Sequence, residues 1–424
     1  MPMTLAQKII ARAAGREAVA SGEVVTAAVD LAMIHDSGGP RRVEPILKRL
    51  GAGLFDKDRV VLISDHFVPG NTPQSQEILD GARHWAKQRD VTFYDSLGIC
   101  HVVLPERGHL KPGLFVVGGD SHSPTGGAFG AYMFGIGATE MAGVLATGEI
   151  WIRVPETIFI EWTGRLGPGL TAKDIMLALC GRLGMDGGRY QAVQYGGDAI
   201  AHLDMQERMT LANMAAELGG QTGLIAPDAV TFDYLCAAGA DPDPPELWQG
   251  DADAVLDEHH VFDADALAPQ IAAPHSPANS ADAELYPDTP VDVAYIGACT
   301  GAKYGDLKRA AELLRGKSCA SGVTLLVAPA SRRDQDRATA EGIMAVFEDA
   351  GARILPNACG ICAGYGTARL GEDVTCISST ARNFRGRMGA ASSKVYLGSP
   401  YSVAAAAVTG HLCDPRNLLA ARAL

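Results

Sequence analysis

Three groups of side chains on this chain are able to do chemistry: thiols, neighbouring acids and imidazoles, and a run of arginines. Cys359 and Cys362 form a Cys-x-x-Cys pair in NACGICAG, flanked by Gly360 and Gly364. That spacing puts two sulfurs within reach of one metal or cluster, and the glycines let backbone approach an inorganic core. Taken alone, the pair fits zinc, a redox dithiol, an iron–sulfur ligand pair or chance. Cys299, in GACTGAKYGDL, adds a third thiol. Three thiolates are one short of a closed zinc site or a fully ligated four-iron cluster. An iron left open in this way acts as a Lewis acid on a substrate oxygen. The total of nine cysteines is odd, which argues against a disulfide framework. Cys180, Cys236 and Cys319 lie in helix-like or linker stretches and are expected to be buried apolar fillers.

These residues need elements to position them, and apolar runs end where they sit. RVVLIS (59–64) leads into Asp65-His66, and LFVVGG (114–119) into Asp120-Ser121-His122. DVAYIGA (292–298) leads into Cys299, and DVTCIS (373–378) into an Arg-rich turn. TIFIEW (157–162), GVTLLVAP (322–329) and KVYLGSP (394–400) read as further strands, and helices are expected from Thr171 and over 332–349. Continuous apolar strands alternating with helical segments predict an α/β fold with largely parallel sheets. Ligands of such sheets bind beyond the C-terminal strand ends, where the reactive residues collect here. Residues 1–50 read as mostly helical, and the Ala-, Asp- and Pro-rich stretch 237–290 as a connecting segment.

At roughly 150 residues per domain, 424 residues suggest about three domains and a core large enough to need no staples. We expect boundaries at 1–156, 157–283 and 284–424. The formal charge of -13 argues against a nucleic-acid partner, while a local arginine cluster still suits a small anion. No apolar run reaches the ~18 residues of a bilayer span, so no membrane role is expected. The N-terminus lacks a secretory h-region, which predicts a cytoplasmic protein.

The motifs, in order, resemble the aconitase superfamily, most closely the large subunits of the isopropylmalate dehydratase type. The resemblance rests on DHFVP (65–69), GICH (98–101), the stretch opening GGDSHSPTGG at 119, and ERMTLANMAAELGGQTGLIAPD (207–228). GACTGAKYGDL, CGICAG and SSTARNFRGRMG (378–389) complete it. It implies three α/β domains around a 4Fe–4S cluster held by Cys299, Cys359 and Cys362, with one open iron. It implies dehydration and rehydration of a hydroxy-dicarboxylate, as in the isopropylmalate isomerisation of leucine biosynthesis. Asp65–His66 and His101–Asp120 are the implied proton-handling pairs, with His122 in the same pocket. Arg382 and Arg387 are the implied carboxylate grips, and Asp36 an acid near the substrate. Arg385, between the two grips, is expected to face solvent. The family's swivel domain is not expected in this chain. The resemblance implies a separate small subunit that carries it together with a serine base.

Some positions depart from the family pattern. Gln194 stands where a glutamate that pairs with the histidine matched by His122 is expected. Gly301 and Ala381 stand where asparagines are expected, changes that would leave room beside the open iron. The substrate therefore stays open among isopropylmalate, homoaconitate, citraconate and dimethylmalate. A catalytically impaired paralogue, a zinc hydrolase and a cluster-sensing RNA binder are the other readings.

Overall fold

A computed structural model describes residues 1–366 and 368–420. Its frame is three sheets. The first has five parallel strands, in the order Thr92–Asp95, Val60–Ser64, Leu31–His35, Phe115–Gly118, Tyr132–Gly135. The second has four parallel strands, ordered Thr222–Ile225, Ala192–Gly196, Thr157–Thr163, Glu258–Asp263. The third has seven, ordered Ser280–Asp282, Gln270–Ala272, Lys394–Leu397, Thr375–Ser378, Val293–Ile296, Thr324–Val327, Arg353–Ile354. Gln270–Ala272 pairs antiparallel with both its neighbours, and the remaining pairs are parallel. Strands such as Val60–Ser64 are buried at every position, as a parallel strand covered on both faces requires. The α/β class with largely parallel sheets is therefore as expected.

Three local expectations change. The N-terminal region holds helices Leu5–Ala13 and Pro40–Leu50, but between them lie strands Val24–Ala28 and Leu31–His35. The second is buried at all five positions, so it carries no period-2 signal to separate it from a buried helix. The stretch 237–290 is more than a connector. Glu258–Asp263 runs parallel to Thr157–Thr163 as an edge strand, and Gln270–Ala272 pairs with the third sheet. The helix expected over 332–349 is two helices, Arg332–Ala340 and Ile343–Asp349.

The sheets meet through close backbone approach. The short helix Ser123–Phe129, which follows the first sheet's Phe115–Gly118, lies on Thr222–Ile225 of the second. A Cβ on Gly127 would stand 1.6 Å from the carbonyl oxygen of Gly223, so only glycine permits this seat. One continuous core joins Val61 and Ile63 of the first sheet, Met205 and Met209, and Ile296 and Val327 of the third. Among the described residues no helix is long and apolar enough to cross a membrane.

Candidate active site

Asp65 follows directly on a buried strand and is itself fully buried. Its Oδ1 lies 2.6 Å from Nδ1 of His66, and its Oδ2 accepts the Cys100 amide at 2.8 Å. Burial opposes charge on both groups, and their mutual attraction overrides it. Asp65 is held at about 2, and His66, drawn also by Asp120 and Asp36, rises to about 10. His66 stacks on His35 with centroids 4.2 Å apart. Burial, then His66, lowers the His35 pKa. His35 is thus a neutral ring that donates from Nε2 to Gly119 O at 3.0 Å.

Asp120 gathers the remaining imidazoles. Its Oδ1 is 2.7 Å from His101 Nε2 and 3.4 Å from His122 Nδ1, and it accepts the His122 amide at 2.8 Å. Its Oδ2 lies 3.9 Å from His66 Nε2. Burial raises the Asp120 carboxyl, but the bonds to His101 and His122 pull it far below the usual range.

The other face of His122 meets an acid that the sequence analysis did not single out. Glu217, fully buried, places Oε1 3.3 Å from His122 Nε2. The same oxygen accepts Nε–H of Arg382, whose Nη1 donates to Ser121 at 2.9 Å. Burial lowers the His122 pKa, and Glu217 and Asp120 more than restore it. The expectation for Gln194 is corrected here. Its neighbours Val193 and Tyr195 point into the core, so Gln194 points the other way, and it is not among the cavity residues. Glu217 lies within NMAAELGG, part of the stretch that carries the family resemblance, and that was the available signal.

Cys299, Cys359 and Cys362 line one cavity of about 340 Å³ together with His35, His66, His101, His122, Arg382 and Arg387. Cys362 is held below an ordinary thiol by its hydrogen bond with Cys359 and by Arg387. Burial pushes Cys299 up to about 12. Asn213 donates to Cys299 Sγ at 3.2 Å. Around this cavity Arg387 Nε, His101 Nδ1, Asn213 Oδ1 and Glu217 Oε2 are buried without a protein partner. Three soft sulfurs, no fourth cysteine on the described wall and unmatched polar atoms on the wall residues His101 and Arg387 suit a three-ligand iron–sulfur cluster. The sets His35, Asp36, Asp65, His66 and His101, Asp120, His122 also have donor atoms close together. In each set, however, an imidazole is bonded to a carboxylate, His66 to Asp65 and His101 to Asp120, the arrangement that proton transfer needs.

The remaining sequence expectations divide. Arg387 lines the cavity, while Arg385 is exposed. Asp36 does not line it. Its two oxygens accept the amides of Asp65 at 3.2 Å, His66 at 3.1 Å and Phe67 at 2.8 Å, so it fixes the turn that carries His66. Cys180 is buried and Cys319 half-buried, but Cys236 is exposed. Gly301 leaves no open space. A Cβ there would lie 2.2 Å from Ser379 Cβ, and the Ser379 hydroxyl already bonds Gly297 and Gly301. Sequence reading also missed His35, Arg42 and Tyr365 on the cavity wall.

A profile described as "Aconitase family (aconitate hydratase)" matches residues 8–410. The chain is 41% identical over 422 residues to "3-isopropylmalate dehydratase large subunit 1" of Methanopyrus kandleri, covering 99% of this chain and 100% of the relative. It is 40% identical over 421 residues to "3-isopropylmalate dehydratase large subunit 1" of Archaeoglobus fulgidus, covering 99% and 100%. It is also 40% identical to the "Probable methanogen homoaconitase large subunit" of Methanothermobacter thermautotrophicus, covering 98% of each chain. The matched span, residues 8–410, contains the strands of every sheet and every motif that meets at the cavity. This chain therefore belongs to the aconitase family and is a hydro-lyase.

Proposed function

We propose that this chain is the large, catalytic subunit of an iron–sulfur hydro-lyase that interconverts 2-isopropylmalate and 3-isopropylmalate through isopropylmaleate, in leucine biosynthesis. One observation carries the reading: three cysteines share a cavity with carboxylate-tethered imidazoles and two arginines. Each proposed domain, 1–156, 157–283 and 284–424, contributes to that cavity's surroundings. A 4Fe–4S cluster on Cys299, Cys359 and Cys362, with one iron open, supplies the Lewis acidity that a departing hydroxyl needs.

The chain's own residues do the rest. Arg382 and Arg387 offer planar cationic forks to the two substrate carboxylates. Glu217 and Ser121 fix the orientation of Arg382. His66 is charged at neutral pH and is placed to hand its Nε2 proton to a leaving hydroxyl, while Asp65 holds the ring through Nδ1. Asp120 stands behind His66, His101 and His122, so a proton lost from one ring can be exchanged within the cluster. Asp36 sets the turn rather than touching substrate.

The "large subunit" names of the relatives support a separate small subunit, to which we assign the swivel domain and the serine base. The reaction belongs in the cytoplasm. The test is anaerobic co-purification with that subunit and a hydration screen of isopropylmaleate, citraconate, dimethylmaleate, cis-aconitate and homoaconitate. Turnover of isopropylmaleate that is lost in C299S supports the reading. Turnover of none of these acids by cluster-loaded protein refutes it.

One observation favours a second reading, a homoaconitate-type tricarboxylate substrate. Arg42 lines the cavity, is exposed, and among the described residues makes no ion pair. A third cation suits a third carboxylate. Preference for homoaconitate over isopropylmaleate, reversed in R42L, selects this reading.

A further inference from the structure

Lys173 sits in the first turn of helix Ala172–Leu183 and is 1% exposed. Burial and the helix end oppose a cation there, while Glu217 and the thiols Cys299 and Cys362 attract it from a distance. The helix N-terminus carries positive partial charge, the site is dry, and among the described residues no carboxylate pairs with the ammonium. Burial accordingly lowers it to about 8. Its three protons have three acceptors: Thr380 O at 2.5 Å, Ser379 O at 3.2 Å and Thr300 Oγ1 at 3.4 Å.

Those acceptors belong to two strand-end turns of the third sheet, whereas Lys173 comes from the helix that follows Thr157–Thr163 of the second. One turn follows Val293–Ile296 and carries Cys299; the other follows Thr375–Ser378 and carries Arg382. The turns also touch directly, because Thr300 Oγ1 donates to Ser379 O at 3.0 Å. The ammonium caps that junction from the neighbouring sheet's side.

The structure assigns Lys173 as a positioning residue: its ammonium locks the Cys299 turn to the Arg382 turn and so sets the distance between the cluster ligand and the carboxylate grip. The roles of Cys299 and Arg382 rest on the function proposed above, but the lock itself does not.

The test compares wild type with K173M by amide hydrogen exchange on the cluster-free chain and by steady-state kinetics on the loaded complex. Exchange should rise about tenfold or more in 297–301 and 379–382 together, with other strand ends unchanged. KM for the diacid should rise about tenfold while kcat changes less than about threefold and the iron-to-sulfide ratio is kept. A general loss of stability would not split KM from kcat in this way. Unchanged exchange in either turn overturns the proposal. If K173M does not fold, K173Q replaces it, since its shorter neutral amide reaches fewer of the three acceptors. Wild-type protection of both turns in K173Q overturns the proposal equally. If none of the diacids is turned over, the functional reading fails while the exchange result still decides the lock.

Discussion

Glu217 and His122 stand 3.3 Å apart across 95 positions of sequence. The helix Met205–Met214 and the Gly127–Gly223 contact bring the second sheet's acid onto the first sheet's imidazole. Because the same carboxylate oxygen accepts Arg382, one residue orients both the imidazole proposed to handle protons and the arginine proposed to grip substrate.

E217Q should therefore lose both functions. Without the charge, burial lowers the His122 pKa, and Arg382 is left without its ion-pair partner. We expect kcat/KM to fall by about 10²- to 10⁴-fold. Q194E, on the other side of its strand, should change it less than about twofold. Steady-state hydration assays of the two variants check this, and equal losses would contradict the assignment.

The Asp65–His66 pair makes a prediction in pH. Burial opposes charge on His66, and Asp65 is the chief group that lifts it to about 10. In D65N that support is gone, and burial pulls the imidazole down against the remaining attraction of Asp120 and Asp36. The alkaline limb of the rate profile should move from near pH 10 to lower pH, with kcat lower by about 10²-fold. For stability, the depressed Asp65 contributes above about pH 3.8 and loses its contribution as pH falls through about 2. The raised His66 contributes below about pH 6.5 and loses its contribution as pH rises through about 10. Thermal melts of wild type and D65N across pH should converge outside that window.

C299S, C359S and C362S should each fold, yet retain less than about a quarter of the iron after anaerobic reconstitution, because thiolate ligation is what holds the metal. C236S, at an exposed position, should bind iron as wild type does. Iron and acid-labile sulfide analysis distinguishes the two classes.

G301N, which restores the family residue, should not improve the enzyme. Its Cβ would stand 2.2 Å from Ser379 Cβ and 2.6 Å from Ser379 O. We expect a loss of about 2–4 kcal/mol from overpacking, read as a lower denaturation midpoint, together with weaker cluster retention.

The chemistry near strand ends was legible because it is local. A fully buried parallel strand such as Val60–Ser64 announces itself by composition, and the residues just after it face the ligand side of the sheet by topology. Cys359 and Cys362 need only three residues of chain to converge. The first sheet's central strand, Leu31–His35, was missed because full burial removes the alternation that marks a strand. The edge strand Glu258–Asp263 was missed because polar residues stand on both its faces, Glu258 and His260 on one and His259 and Asp263 on the other.

What the amino-acid order determined alone is the class of fold, the thiol set, the imidazole–carboxylate neighbours and the arginine turn. Each of these is written within a few residues or in the end of one strand. What only the tertiary structure decided is which charges meet. It put Glu217 rather than Gln194 beside His122, turned Asp36 onto three backbone amides and drew Lys173 under two turns of another sheet. A buried charge takes its partner from whatever the packing of separate sheets delivers within hydrogen-bond reach. That distance is set by three-dimensional closure and has no counterpart in sequence spacing.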